Sequence, residues 1–165
     1  MRRRTLLLGA VGALLAGQAR ASAALTPDDM ALGREDAPVT LIEYASLTCP
    51  ACAAFHAAAW EGLSALYVEA GLVRFVFREF PTPPEALALA GFQIARCRNA
   101  TPEQYMARIG ELLRQQQTIL GAADMAGARR RLGVIAQGFG LTTAEINAAI
   151  DDPAGAERAR RLHQS

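Results

Sequence analysis

The sequence predicts an α/β fold in which a strand–helix–strand unit precedes a block of helices. Residues 39–45 form an apolar, β-branched run that indicates a buried strand, and residues 73–80 alternate as a second strand should. Between them, residues 49–70 have the amphipathic spacing of a helix that Gly71 ends. This short β-α-β succession favours two parallel strands joined by a right-handed crossover.

The first helix and the segments around the unit are predicted in outline. The apolar stripe of the helix is expected to include Trp60 and Tyr67 beside the regularly spaced positions Cys52, Phe55, Ala59, Leu63, Leu66 and Ala70. Residues 30–32 suggest a short edge strand. From residue 85 onward the pattern is helical, with helices near 85–97, 101–117 and 124–137, a fourth that residues 142–145 cap, and a last short one from Pro153 toward Leu162.

The first 23 residues have the three parts of an export signal. Arg2, Arg3 and Arg4 form the charged region, residues 6–16 the apolar region, and Ala21 and Ala23 belong to a small-residue cleavage site. We expect export by the general secretory route or by the twin-arginine route, whose signal the Arg3-Arg4 pair resembles. The alternative is an uncleaved N-terminal anchor. Cleavage would leave one domain over residues 24–165, with its helical block at about 85–165.

The charge balance argues against a nucleic-acid partner. The chain has 17 basic and 16 acidic residues, and four of the basic ones lie in the first 23 residues, which contain no acid. The remainder therefore carries 13 basic and 16 acidic residues, a net charge of −3. A domain with this balance lacks the positive field that nucleic-acid binding requires.

The motif Cys49-Pro50-Ala51-Cys52 follows the first strand and opens the helix. Free backbone N–H groups and the helix dipole stabilise a thiolate at a helix N-terminus, so the motif predicts a redox-active dithiol/disulfide site. Cys49 is the expected nucleophile with a low pKa, and Cys52, one turn inward, the resolving thiol. In an exported chain the two would meet conditions in which disulfides persist.

Other readings of the cysteines stay open. Cys49 and Cys52 could be half of a metal site with His56, although zinc requires further ligands. We predict no metal, and interpret His56 as a surface residue of the helix and Tyr44, Phe55 and Trp60 as core. Cys97 is predicted to be a buried structural thiol, with a regulatory or intermolecular disulfide as the alternative.

These residues resemble the DsbA-like branch of the thioredoxin superfamily. The resemblance rests on the segment LGREDAPVTLIEYASLTCPAC, the following AAFHAAAW, the strand VRFVFREFP and the helical stretch ALALAGFQIARC. It implies a thioredoxin-like fold with a helical insertion, and a periplasmic enzyme that exchanges disulfides with substrate proteins through a mixed disulfide at Cys49. It implies no cofactor, since the disulfide carries the electrons, and a quinone-linked membrane protein as redox partner.

The resemblance also directs attention to Glu43, six residues before Cys49, where these proteins often carry a buried acid beneath the disulfide. Strand alternation places Glu43 on the face opposite Ile42 and Tyr44. Glu43 is therefore a candidate acid/base for the proton of Cys52, and the alternative is a half-exposed strand carboxylate.

Two departures from the family pattern qualify these expectations. The well-studied oxidants have histidine where this chain has Ala51, so its disulfide is expected to be less oxidising. The family's cis-proline loop and final core strands have no counterpart before Ser165, so we expect an exposed sheet edge. The alternative function is accordingly a truncated, non-catalytic thioredoxin-like chain that acts as a binding module. Oligomeric state, substrates and the direction of electron flow are not predicted.

Overall fold

A three-stranded sheet organises the part of the chain that the computed structural model describes, residues 25–164. Strands β1 (Met30–Leu32), β2 (Val39–Ala45) and β3 (Val73–Glu79) lie in the order β1-β3-β2. β2 runs parallel to β3, and β1 pairs antiparallel with it. The predicted edge strand and the parallel β-α-β unit are confirmed. The predicted export signal lies outside the described residues.

β3 is the central strand and is covered on both faces. Phe75, Val76 and Phe77 are fully buried, and the polar residues Arg78 and Glu79 at its end are buried as well. A strand with neighbours on both edges and packing on both faces leaves no side for solvent. Arg78 and Glu79 follow one another in the strand, so each of the two buried faces holds one charged group in an ion pair, Arg78 with Asp29 and Glu79 with Arg96.

β2 is a strand as predicted, but the expectation that it is buried was wrong. Val39 is 53% exposed and Leu41 38% exposed, and Tyr44, expected in the core, is also exposed. The physical reason is its position, because within residues 25–164 no further strand pairs with the outer edge of β2. The exposed edge expected from the sequence is therefore present in the described part of the chain.

The helix after β2, here called the CPAC helix (residues 50–68), is continuous but irregular. It consists of α1 (Pro50–Phe55), a π-helical turn (His56–Trp60), α2 (Glu61–Leu63) and a second π-helical turn (Ser64–Val68). Gly71 follows with a φ of +74°, a left-handed conformation that glycine adopts without strain. The predicted helix and its end are confirmed.

The buried face of the CPAC helix differs from the predicted stripe. His56 and Val68 are buried, whereas Phe55, Leu66 and Tyr67 are exposed. Each π-helical turn takes up one more residue than an α-turn, so regular 3.6-residue spacing no longer follows the buried side. The expectation that Phe55 lies in the core and His56 on the surface is wrong, because His56, four residues after Cys52, lies on the side of the helix that packs against β3.

Six helices form the block that covers the sheet, and their predicted positions are confirmed with one break after Arg114. Thr101 and Thr142 each complete a capping box, and the carboxylates of Asp124 and Asp152 cap two further helices. The helices are α3 (Glu85–Arg96), α4 (Pro102–Arg114), α5 (Gln116–Leu120), α6 (Met125–Gly138), α7 (Thr143–Ile150) and α8 (Pro153–His163). None of the helices within residues 25–164 has the length and apolar character needed to cross a bilayer.

The core of the molecule joins this block to the sheet. α3 is buried along nearly its whole length, and Phe77 of β3 makes edge-on ring contacts with Phe92 and Tyr105. At Gly91, a Cβ atom would overlap the Leu47 side chain, so glycine permits α3 to approach the turn before Cys49. The helical block therefore packs directly behind the CPAC motif.

Candidate active site

The turn between β2 and the CPAC helix is buried and internally hydrogen-bonded. The Ser46 hydroxyl accepts hydrogen bonds from the backbone N–H groups of Thr48 and Thr82, both at 3.2 Å. The Thr48 hydroxyl donates to the Thr82 carbonyl oxygen at 2.8 Å. Since buried polar groups are costly unless paired, these contacts fix the turn against the loop that follows β3.

Gln116 of α5 also holds this turn, through hydrogen bonds from the helical block. Its Nε2 donates to the carbonyl oxygens of Leu47 at 3.0 Å and Cys49 at 2.9 Å, and the side chain is buried. Sequence reasoning missed this residue, because nothing distinguishes Gln116 from the glutamines on either side of it. It is the direct polar link between the helical block and the CPAC motif.

Cys49 occupies the N-cap position of α1, with Pro50 as the first helical residue. Burial alone raises the pKa of Cys49, but hydrogen bonds from the Cys52 thiol and from the backbone N–H groups of Cys52 and Ala51 outweigh it. They leave that pKa below its ordinary value, although the charge of Glu43 acts in the opposite direction. The predicted effect of the helix N-terminus is thus present at this sulfur.

Cys52 is more deeply buried than Cys49 and packs against the hydrophobic core. Burial raises the pKa of Cys52 to about 11, with further increases from Cys49 and Glu43 that a backbone hydrogen bond from Ser46 offsets only in part. Neither cysteine is in a disulfide in this structure. The two thiols, one turn apart, therefore differ in acidity, as a nucleophile and a resolving thiol would require.

Glu43 lies on β2 beneath the CPAC helix, paired in register with Phe77 of β3. Its side chain is 15% exposed, and Oε2 lies 3.0 Å from Nε2 of His56. Its negative charge raises the pKa of both Cys49 and Cys52, which places it within electrostatic reach of the two sulfurs. Glu43 is thus mostly buried near the cysteines, as one of the two sequence readings expected.

His56 belongs to this site, contrary to its interpretation as a surface residue. Its ring stacks on Trp60 with centroids 5.4 Å apart, and Phe77 contacts it edge-on at 6.2 Å. The only sequence signal was its position one turn after Cys52 on the same helix, which the metal reading had used. Trp60 packs against the core as predicted, through Phe75 and this imidazole.

The geometry does not support the metal reading. Within residues 25–164, no group of three histidine, cysteine, aspartate or glutamate side chains is arranged to hold a metal ion. His56 directs Nε2 to Glu43 instead. Cys97 lies at the C-cap of α3, where burial raises its pKa, and it lines a cavity whose walls do not include Cys49 or Cys52.

Comparison with known proteins points to one family. A family model described as thioredoxin matches residues 25–160. A Rickettsia bellii protein that carries the provisional name protein-disulfide oxidoreductase is 34% identical over 71 residues, 43% of this chain. A Rickettsia conorii protein with a name of the same kind is 35% identical over 74 residues. These matches span only about a quarter of the relatives' lengths, 27% and 26% respectively.

Solved structures share the fold. The crystal structure of Wolbachia pipientis α-DsbA1 superposes with a TM-score of 0.74 at 24% identity, covering 85% of this chain and 68% of that protein. Bacillus subtilis BdbD, in its oxidised form, gives a TM-score of 0.65 at 22% identity over 83% of this chain and 75% of that one. The predicted fold class, a thioredoxin-like β-α-β unit with a helical insertion, is confirmed. With its family-model match over residues 25–160, the chain belongs to the thioredoxin family.

Proposed function

We propose that this chain is a thiol–disulfide oxidoreductase of the DsbA type, which exchanges a Cys49–Cys52 disulfide with the thiols of substrate proteins. The observation that supports the proposal most directly is the unequal acidity of the two thiols. The pKa of Cys49 is lowered at the start of α1, whereas the pKa of Cys52 is raised to about 11 behind it. Such an asymmetry makes Cys49 the better nucleophile and the better leaving group.

The proposed exchange proceeds through a mixed disulfide at Cys49. In the oxidising direction, a substrate thiolate attacks the sulfur of Cys49, the Cys49–Cys52 bond breaks, and Cys52 leaves with the electron pair and takes up a proton. A second substrate thiolate then attacks the substrate sulfur of the mixed disulfide, and Cys49 leaves as a thiolate. The substrate loses two electrons and the protein dithiol gains them. Reduction of a substrate runs through the same steps in reverse.

Glu43 is the proposed acid/base for the buried thiol. Because the pKa of Cys52 lies near 11, this thiol holds its proton at neutral pH and requires an acceptor before it can attack. Glu43 is mostly buried and within electrostatic reach of Cys52. Its carboxylate would accept the proton of Cys52 when the mixed disulfide resolves, and its acid form would return a proton when Cys52 leaves.

The proposed location is the periplasm, after export by the signal predicted in residues 1–23. A disulfide-exchanging enzyme acts where thiol pairs remain oxidised, which fits an exported protein. The disulfide itself carries two electrons, so the mechanism requires no further cofactor. The proposed partners are substrate proteins with thiols or disulfides and, to renew the redox state, a quinone-linked membrane protein.

Trapping of the mixed disulfide tests this proposal. Reduced Cys52→Ser protein, mixed with a disulfide-bonded substrate, should accumulate a covalent adduct at Cys49, because no thiol remains to resolve it. Cys49→Ser should form no such adduct. Cys97→Ser is the matched control and should exchange disulfides at the wild-type rate. Intact mass spectrometry after acid quenching, followed by peptide mapping, measures all three.

The alternative reading, a non-catalytic binding module, draws on a separate observation. The outer edge of β2 exposes the apolar side chains of Val39 and Leu41, and a strand edge of this kind can pair with another chain. The trapping experiment distinguishes the two functions. An adduct at Cys49 with wild-type turnover supports exchange, whereas absence of any adduct in Cys52→Ser would contradict it and leave the binding reading.

A further inference from the structure

His56 is a polar side chain enclosed by the aromatic residues of the active site. Its side chain is only 5% exposed and lies between the ring of Trp60 and the edge of Phe77. Among residues 25–164, the hydrogen-bond partner of the ring is Oε2 of Glu43, 3.0 Å from Nε2. Burial of an imidazole is unfavourable without a hydrogen bond, so this contact determines how the ring is held.

The other ring nitrogen of His56, Nδ1, indicates which of the two nitrogens carries the proton. Among the described residues, Nδ1 of His56 is buried and has no hydrogen-bond partner. A proton on Nδ1 would be an unpaired buried donor, which is more costly than an unpaired lone pair on an aromatic nitrogen. The geometry therefore favours a neutral ring with its proton on Nε2, donating to Glu43. In that arrangement Glu43 is the acceptor and carries the negative charge.

Few charged groups lie near the hydrogen-bonded pair of His56 and Glu43. Besides Glu43 on β2, the neighbouring strand β3 presents the aromatic ring of Phe77. On the side of the helical block, Arg114 shares a groove wall with His56, but it is largely exposed and pairs with Glu111. Glu61, nine residues after Cys52 on the CPAC helix, lines the same groove and is exposed. Glu43 is the charged group that His56 contacts directly.

We propose that His56 is a positioning residue whose Nε2–H keeps Glu43 as an oriented carboxylate beneath the two cysteines. The inference rests on the proposed exchange function and extends it by one residue. When the mixed disulfide resolves, the proton of Cys52 passes to Glu43, and the Cys52 thiolate attacks the sulfur of Cys49. The Cys49–Cys52 bond forms, the bond to the substrate sulfur breaks, and the substrate leaves as a thiolate with the electron pair.

Two substitutions of His56 separate its hydrogen bond from its volume. His56→Leu keeps an apolar side chain in the aromatic pocket but removes the donor, whereas His56→Gln places an amide N–H near the position of Nε2. The other histidine of the chain, His163, is exposed, and His163→Gln is the matched control. The measurement is the rate at which a preformed mixed disulfide at Cys49 resolves, followed in single turnovers as a function of pH.

We expect His56→Leu to slow resolution by about tenfold, because loss of a hydrogen bond to a charged group has effects of that order. The pH profile of the rate should also differ from that of wild type, because the carboxylate of Glu43 loses its hydrogen-bond donor. His56→Gln should restore most of the rate and the wild-type pH profile. A merely structural role would not produce that recovery of the profile.

The outcomes separate this inference from the function on which it rests. If wild-type protein forms no mixed disulfide, the proposed exchange is wrong and the role of His56 falls with it. If wild-type protein exchanges but His56→Leu resolves at the wild-type rate with an unchanged profile, only the inference is overturned. Nitrogen NMR of the His56 ring in wild-type protein tests the proposal without any variant, so a folding defect in a variant does not affect this result. A neutral ring protonated at Nε2 supports the proposal, and protonation at Nδ1 overturns it.

Discussion

Single residues set the chemistry of the site, and the unequal thiols at the start of α1 give the first prediction. Native, reduced protein should react with iodoacetamide first at Cys49, whose pKa lies below its ordinary value. Cys52 should become reactive only as the pH approaches about 11, because burial stabilises its neutral form. Peptide mapping after timed alkylation across a pH series measures both rates in a Cys97→Ser background.

The control for this prediction is the same protein unfolded in urea. There the two cysteines lose the helix N-terminus and the burial that distinguish them, so their alkylation rates should converge. Equal rates at Cys49 and Cys52 in the folded protein would contradict the proposed division of roles between them.

The residues of the site could be predicted from the sequence to different degrees. Cys49 and Cys52 carry their chemistry in a local motif, because a strand, a turn and a helix N-terminus are all visible nearby. Glu43 was a candidate because of the resemblance to the DsbA-like family, and its burial was one of the two alternatives that the sequence left open. His56 and Gln116 became evident only in the structure, since each acts through a contact with a residue distant in sequence.

At the scale of elements, the CPAC helix shows where periodicity fails as a guide. The residues that flank its two π-helical turns, Phe55, Glu61, Leu63 and Glu69, have ordinary right-handed helical dihedrals, so no break in the backbone marks the change of spacing. His56 follows Cys52 by four residues, so it lies on the same buried side of the helix, whereas Phe55 is exposed. The π-helical turns begin at His56 and change the spacing only after it. The buried pair of His56 and Glu43 therefore depends on how the helix lies against the sheet, which periodicity alone does not report.

The link between the helical block and the CPAC motif gives a second prediction, for Gln116. Gln116→Leu leaves the carbonyl oxygens of Leu47 and Cys49 without their donor, and should lower the free energy of unfolding by about 2–3 kcal/mol. Urea denaturation measures the change. The neighbouring residue Gln117 is exposed, so Gln117→Leu should change stability by less than about 0.5 kcal/mol. Equal effects of the two substitutions would show that the hydrogen bonds do not hold the turn.

At the scale of the whole molecule, the fold was predicted well where the sequence pattern depends only on residues close together in the chain. The capping boxes at Thr101 and Thr142 located two helices, and alternation located β3. The exposure of β2 depends instead on which strands lie beside it, and the sequence wrongly predicted a buried strand; the family pattern predicted only that the sheet has an exposed edge. Burial is a property of the assembled sheet, so a run of apolar residues cannot report it alone.

A buried ion pair ties the segment before β1 to the central strand. Nε and Nη2 of Arg78 donate to the two carboxylate oxygens of Asp29, both at 2.9 Å, and each side chain is 2% exposed. Burial alone raises the pKa of Asp29, but hydrogen bonds from Arg78 and from the backbone N–H of Thr26 outweigh it and hold that pKa below its usual value. The folded state therefore binds this proton less readily than the unfolded state.

The sign of the resulting pH dependence follows from that difference. The contribution of Asp29 to stability is fully present above its unfolded-state pKa and is lost as the pH falls through the lower folded-state value. Asp29→Asn should lower the free energy of unfolding at neutral pH by on the order of 3 kcal/mol, because Arg78 loses its charged partner. The deficit in the free energy of unfolding relative to wild type should shrink toward about pH 3.

The control is Asp36→Asn. Asp36 is in an exposed pair with Arg34, so this substitution should have almost no effect at neutral pH or at about pH 3. Urea denaturation at both pH values tests this, and a deficit for Asp29→Asn that stays constant with pH would mean that packing, rather than the buried charge, joins the segment to β3.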